Sequence, residues 1–338
     1  MAEVYSETEK YMIRSYREAD EAAWDDFIEH QAVNGTFLQT RRFLNYHPKD
    51  RFQDCSLIIE DKKGHIAAVC PACCVEENGE KQFISHMGST FGGVLISPKQ
   101  YYAHKVIAIL HALEAAVKQN GFDSIELRIT PDLFSRESSA LLEYALFYCG
   151  YQTYTELSTY VDFAKYKDNI LSNFEQGKRT NVHNCLKAGL YCRKIETPDE
   201  IRQFYQLLCQ NLEKYDARPV HSLTELIDLK MNRLEKEMDF YGVFQADCMV
   251  AGSMMFYFQN AGVAHTQYLC SDLALNTLSP MTYLYYAMIE KAKQEGFNAL
   301  SFGISTEDKG RTLNFGLTRS KEAYGSKHCL NKKFCKRL

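Results

Sequence analysis

The chain of 338 residues has no apolar run approaching the roughly 18–20 residues that a membrane-spanning helix needs, so no span is expected. Its start, MAEVYSETEKYMIRSY, has neither a charged segment followed by an apolar run nor an acid-poor amphipathic helix, so a cytoplasmic protein without a leader is expected. It has no excess of positive charge: 43 acidic residues outnumber 39 basic ones, for a net charge of −4, which argues against a globally basic nucleic-acid binder. Hydrolase and nucleotide-binding signatures are missing too. Gly252-Ser253 lacks the Gly-x-Ser-x-Gly elbow, and neither a Walker loop nor a dinucleotide fingerprint follows a strand. Disulfides are not expected, because the twelve cysteines of a chain without a leader read as buried thiols. The CPACC run at Cys70, Cys73 and Cys74 lacks a suitably spaced second pair, since Cys329 and Cys335 have the wrong spacing, so no metal site is expected.

What the chain does contain is a repeat. LEAAVKQNGFDSIELRIT (113–130) matches MIEKAKQEGFNALSFGIS (288–305) without gaps: Lys118, Gln119, Gly121 and Phe122 recur as Lys293, Gln294, Gly296 and Phe297. Each copy reads as an amphipathic helix, a glycine at its end and a short strand. Val106, Leu110, Leu113 and Val117 share one helical face, as do Met281, Leu284, Met288 and Ala292. Ser97-Pro98 and Ser279-Pro280 predict where the two helices open, with serine as cap and proline at the first helical position, which makes the first helix about two turns longer.

Ahead of each helix lies a strand-rich stretch, with turn signals at Lys63-Gly64, Asn78-Gly79 and Asn260-Ala261-Gly262 that predict antiparallel meanders. Further helices are predicted at 18–30, 197–215 and 222–236, the last opened by the capping box Ser222 to Glu225. Length and repeat together predict two related α/β (α+β) domains joined near 150–170, written as 1–160 and 161–338.

This order of elements resembles the GNAT acyltransferase superfamily, and two such domains in one chain look like the FemABX-type peptidyltransferases and related acetyltransferases. TFLQTRRFLNYHP (36–48) is similar to that family's opening, FEQGKRTNVHNCLKAGL (174–190) to the basic helix that starts its second domain, and SFGISTEDKGRTLNFGLTRSKEAYGSK (301–327) to its C-terminal pattern. The resemblance implies two GNAT-like domains in tandem, each with a mixed, mostly antiparallel sheet flanked by helices, and the probable active site in the second. One departure concerns the phosphate loop: LALNTLSPM (273–281) has no glycine before its helix.

The candidate residues follow. GKRTNVHNCLKAGLYCRK (177–194) holds Lys178, Arg179, Lys187, Arg193 and Lys194 without one acid; Arg179, His183 and Lys187 form one helical stripe beside an apolar edge of Val182, Cys185 and Leu186. The stripe reads either as a solvated face or as a phosphate-binding surface for a CoA, a nucleotide-linked acceptor or a tRNA acceptor stem. Ser279, Met281 and Thr282 stand where unpaired amides of a first helical turn attract anions. The resemblance singles out Lys321 as a cation that steadies an oxyanion, with Tyr324, Asn314 and Ser305 as further candidates. The expected reaction is attack by an acceptor amine on an activated carbonyl, carried by acyl-CoA (acetyl-CoA included) or by aminoacyl-tRNA. No general base is identifiable. The rival is a non-catalytic ligand-binding protein that keeps the duplicated fold, and oligomeric state is not legible.

Overall fold

The structure, a computed structural model, describes residues 11–48, 50–213, 216–275 and 277–338. It divides into two compact units, the first running to Thr155 and including Leu330–Leu338, the second comprising Glu156–Cys329. Among the described residues no helix is long and apolar enough to cross a membrane.

The first unit contains β1 (Tyr11–Ser15), α1 (Glu21–Asp26), α2 (Arg41–Leu44), β2 (Gln53–Asp54), β3 (Leu57–Asp61), β4 (Ile66–Cys70), β5 (Ala72–Glu77), β6 (Glu80–Ser85), β7 (Leu95–Ile96), α3 (Ala103–Gln119), β8 (Ser124–Arg128) and α4 (Ala140–Tyr148). One sheet has the order β1-β3-β4-β7, and the strands β2-β5-β6-β8 pair in a second. Pro71 separates β4 from β5, so one apolar run serves both sheets: Cys70 pairs with Leu57, whereas Ala72 pairs with Ser85. Proline has no N–H for a ladder, which explains the change of partner at that residue. Cys70, Cys73 and Cys74 are all buried as free thiols on the two sides of this break. The last strand completes this unit, with Lys333–Arg337 antiparallel to β8 and Phe334 opposite Leu127.

In the second unit lie β9 (Gln152–Asp162), whose first residues still belong to unit one, α5 (Gln176–Lys187), β10 (Leu190–Ile195), α6 (Pro198–Glu213), α7 (Leu223–Asp228), β11 (Met238–Gln245), β12 (Cys248–Phe258), β13 (Val263–Ser271), α8 (Pro280–Gln294), β14 (Ala299–Ile304), β15 (Thr306–Glu307), β16 (Thr312–Leu313), α9 (Phe315–Glu322) and the start of β17 (Lys327–Arg337). Its sheet runs β10-β11-β12-β13-β14, with Ser158–Asp162 of β9 paired to β14. All neighbours are antiparallel except β13 and β14.

The repeat is realised in both units. A parallel pair, β6/β8 or β13/β14, is bridged by a helix, α3 or α8. Gly121 and Gly296 end those helices at φ 76° and 82°, a left-handed conformation that only glycine adopts at little cost. Val106, Leu110, Leu113 and Val117 are buried, as are Leu284, Met288 and Ala292, while Met281 is only partly so. Two expectations about helix starts are corrected. Pro98–Gln100 forms a separate 3₁₀ turn and α3 begins at Ala103, so α3 and α8 have 17 and 15 residues and differ little. Neither Ser97 nor Ser279 caps with its side chain, and Ser279 itself is left-handed at φ 58°. The 18–30 and 222–236 segments each form a short α-helix continued by a π-helical turn, at Phe27–Gln31 and Leu229–Arg233. The capping box at Ser222 and Glu225 is present; of the segment at 197–215, α6 covers Pro198–Glu213, and residues 214 and 215 lie outside the described residues.

Phe334 is 2% exposed in the core of the first unit. Phe334→Ala is expected to destabilise the protein by about 3–5 kcal/mol, read as a lowered midpoint in chemical denaturation. A change below about 1 kcal/mol would show that the terminal strand is not a working part of that core.

Candidate functional site

In the second unit, the sequence places a lysine-rich helix, α5, against the start of α8. Val182 and Cys185 are fully buried on the packed side of α5, and the Cys185 thiol reaches the Leu278 carbonyl at 2.9 Å. Leu186, expected on the same apolar edge, is instead 46% exposed, because it lies beyond the arc that α8 covers. Asn181 Nδ2 donates to Ser279 Oγ at 3.2 Å. The left-handed turn at Ser279 thus takes the place of the missing glycine before this helix, and a hydrogen bond from α5 holds it. Thr282 is 5% exposed one turn into α8, and Met281 packs at the edge of the core.

Lys178 projects from the first turn of α5 towards α9. Its Nζ donates to Ser320 Oγ at 3.0 Å and lies 4.5 Å from the centroid of the Tyr324 ring, a cation–π contact. Burial holds its pKa below the usual lysine value. Tyr324 is 1% exposed, stacked on Tyr285 at 4.6 Å and edge-on to Phe174 at 5.1 Å. Its backbone carbonyl accepts from the Tyr166 hydroxyl, and its own hydroxyl, hydrogen-bonded to the Thr282 side chain, is pushed above the ordinary tyrosine range by burial. Lys178, Thr282 and Tyr324 are therefore one connected cluster.

Lys321 lies beside it on α9 and is 4% exposed. Its Nζ donates to the carbonyls of Gly303 at 3.0 Å and Ile304 at 2.8 Å, at the end of β14. Burial lowers its pKa to about 8. An ammonium has three donors, so one N–H is left over after these two bonds. Asn314 fixes the helix that carries it: the Asn314 side chain caps α9 by accepting from Leu317 N at 2.9 Å, and its N–H donates to the Ser305 carbonyl at 2.9 Å. The hydroxyls of Ser305, Thr306 and Thr159 are buried without a partner among the described residues. Such groups cost free energy unless a ligand or water satisfies them.

Two further residues belong to this sheet end: His265, which carries no local signal in the sequence, and Gly303, which falls within the C-terminal pattern. His265 on β13 bonds through Nδ1 to Ser301 Oγ at 3.1 Å, and burial, together with the nearby Lys321 charge, lowers its pKa to about 4. Gly303, at φ 73°, leaves room over the imidazole: a Cβ there would stand 3.4 Å from His265 Cε1. Other expected residues are not in this cluster. Arg179 donates to the Phe174 carbonyl at 3.2 Å, while His183 and Lys187 are exposed along the remainder of α5. Among the described residues no group of acidic, histidine and cysteine side chains could hold a metal ion.

Residues 174–309 match the family described as Acetyltransferase (GNAT) domain, a stretch that contains the α5 and α8 elements and stops short of α9. No curated protein matches the chain. Among solved structures, FemX superposes with a TM-score of 0.67 at 12% identity, covering 97% of each chain. L-PGS from Bacillus licheniformis superposes at 0.59 with 12% identity over 94% of this chain and 91% of its own. A tandem GNAT protein from the clavulanic acid biosynthesis pathway gives 0.55 at 8% identity over 97% and 98%. The chain thus has a tandem GNAT fold similar to that of FemX, and its second unit carries the matched GNAT domain.

The buried Lys321 has a consequence for stability. Burial holds its folded pKa at about 8, below the ordinary lysine value of 10.5, so between those pH values the unfolded chain binds a proton that the folded chain does not. This group therefore costs stability at neutral pH, and the cost disappears as pH rises from 8 to 10.5. Urea titrations across that range are expected to show an upward contribution to unfolding free energy in the wild type that Lys321→Met lacks. Parallel pH profiles for the two proteins would contradict the assignment.

Proposed function

We propose that the chain is an acyltransferase that joins an acyl or aminoacyl group from an activated donor to an acceptor amine, with the chemistry in the second unit. The observation that carries this reading is the Lys321 ammonium, buried and aimed by two backbone carbonyls, with a donor to spare. When an amine nitrogen attacks the thioester or ester carbon, the carbonyl oxygen gains negative charge. A prepaid positive charge in a dry site stabilises that oxygen more in the transition state than in the ground state. Collapse of the intermediate breaks the C–S or C–O bond, and the proton lost by the amine nitrogen goes to the departing sulfur or oxygen, so that the products are an amide and a thiol or a tRNA hydroxyl.

In this reading, Asn314 is a positioning residue, because it holds α9 rather than touching the reacting atoms. Thr282 and Lys178 orient the Tyr324 side of the cluster. The Ser279 and Thr282 amides at the α8 start already donate to the Leu275 and Ser279 carbonyls, so the surface for phosphates of CoA or of an acceptor stem falls to Met281 at that start and to Arg179 and Lys187 on α5. One structural neighbour is a domain of a putative lysylphosphatidylglycerol synthetase from Agrobacterium fabrum (TM-score 0.60, 9% identity) and the tandem GNAT protein's name refers to AcCoA, which supports keeping both aminoacyl and acyl groups in the reading.

Donor class is tested by thermal shift with acetyl-CoA, palmitoyl-CoA and an aminoacyl-tRNA analogue, each at 100 times its dissociation constant. A true donor stabilises the folded chain by roughly 2.7 kcal/mol at that excess, and the absence of a shift with all three would point to a binding protein. Once the donor is known, Lys321→Met is expected to lower kcat by roughly 10²–10³ with little change in KM. Because the active form is the ammonium, the wild-type rate is expected to fall as pH rises through about 8. Lys321→Arg, which stays protonated, should lose that descending limb. A limb that persists in the arginine variant would assign it to another group.

A further inference from the structure

The first unit contains a cavity of about 830 Å³ that the acyl-transfer reading does not use. That volume is within the range of small-molecule sites. Asp54 lines it, and its carboxylate is held in place from behind. Arg41, 1% exposed, donates from Nη1 to Asp54 Oδ2, and its guanidinium lies 3.5 Å from the Tyr16 ring centroid and 4.3 Å from that of Trp24. Ser56 N–H donates to Asp54 Oδ1 at 2.8 Å. Burial alone would raise the Asp54 pKa, but Arg41 and Ser56 hold it below the ordinary value, so the group is a carboxylate at neutral pH. Each oxygen has accepted one of these bonds, lone pairs remain, and 38% of the side chain stays accessible.

His86, also in the cavity wall, is 4% exposed. Its Nδ1 accepts from Gly88 N–H at 3.2 Å, which fixes the proton on Nε2, and Nε2 has no partner among the described residues. Burial lowers its pKa to about 4, so this donor is neutral. The remaining charges in the wall are Glu18, Glu21 and Asp50 against Arg17 and Lys81, and Lys81 is turned onto the Asn120 carbonyl and the Phe122 ring. The field in the cavity therefore favours a cation over an anion. Arg41 stands behind the wall rather than in it, with its Nη1 on Asp54.

From this juxtaposition of a fixed carboxylate and a neutral, unpartnered N–H donor, we infer that the cavity binds a ligand with a primary ammonium next to a carbonyl oxygen, that is, the amino terminus of a peptide or an amino-acid amide. The ammonium donates to Asp54, and the carbonyl accepts from His86 Nε2–H. Neither contact involves the second unit, and the inference does not rest on the transfer reaction.

The test is calorimetry on the full chain with trialanine amide, N-acetyl-trialanine amide and inorganic phosphate as probes. Trialanine amide is expected to bind roughly tenfold or more tightly than its acetylated form, which has lost the charge that Asp54 pairs with. His86→Leu leaves the Arg41–Asp54 pair intact and should weaken trialanine amide by roughly threefold or more, the loss of one hydrogen bond. Asp54→Asn should abolish the preference between the two peptides. If Asp54→Asn fails to fold because Arg41 is stranded, the wild-type comparison and His86→Leu decide the question without it. Equal affinity for the two peptides, binding of phosphate in place of trialanine amide, no heat with any probe, or undiminished affinity in His86→Leu would each overturn the inference.

Discussion

The lysine ammonium at the end of β14 constrains much of what surrounds it. A buried charge is tolerated only if it is hydrogen-bonded, and the Gly303 and Ile304 carbonyls take two of its three donors at the end of β14, where pairing with β13 has stopped at Ser301 while pairing with β9 continues. The left-handed Gly303 turns the backbone so that both carbonyls face one ammonium. Asn314 stops α9 from fraying, and α9 in turn sets where Lys321 begins its reach. Removing any one of these would leave a buried charge short of partners, which is why the site reads as a unit rather than as separate residues.

Around that unit, the packing of α5 on α8 serves two ends. The buried face formed by Val182 and Cys185 contributes apolar area to the core, while Asn181 and Lys178 from the same helix tie Ser279 and Ser320 into the site. Tyr285, Phe302 and Tyr324 pack ring to ring in the core of the second unit, and Lys321 itself is buried. Low local polarity strengthens any interaction between that charge and a developing oxyanion. The same low polarity keeps His265 neutral, so it adds no competing positive charge beside Lys321.

Much of the fold was legible because it is local. The helix-glycine-strand repeat, the turn glycines and the core faces of α3 and α8 follow from spacing alone, and the structure places them as expected. Ser-Pro marked the start of α8, with Pro280 at its first position, but misled on the start of α3 and on both serine caps: Ser279 is left-handed and Ser97 leads into a 3₁₀ turn. The basic character of α5 was legible, but which of its residues turns inward was not, since Lys178 meets Ser320 across 142 positions of sequence. His265, Asn181 and the Arg41–Asp54 pair at the first unit's cavity likewise depend on contacts between distant strands and helices. No periodicity announces them. The terminal KKFCKR stretch shows the same limit, because nothing in its alternation says that it pairs with β8.

Oxyanion stabilisation in this site depends most directly on the protonation state of one side chain. With ¹⁵N-labelled lysine and Lys321→Arg to assign the signal, the Lys321 Nζ resonance can be followed against pH by NMR. The buried site requires a titration midpoint near 8 and a change in that midpoint when the donor identified by thermal shift is added. A midpoint near 10.5, unmoved by donor, would mean that Lys321 is an ordinary solvated lysine and that the site lies elsewhere.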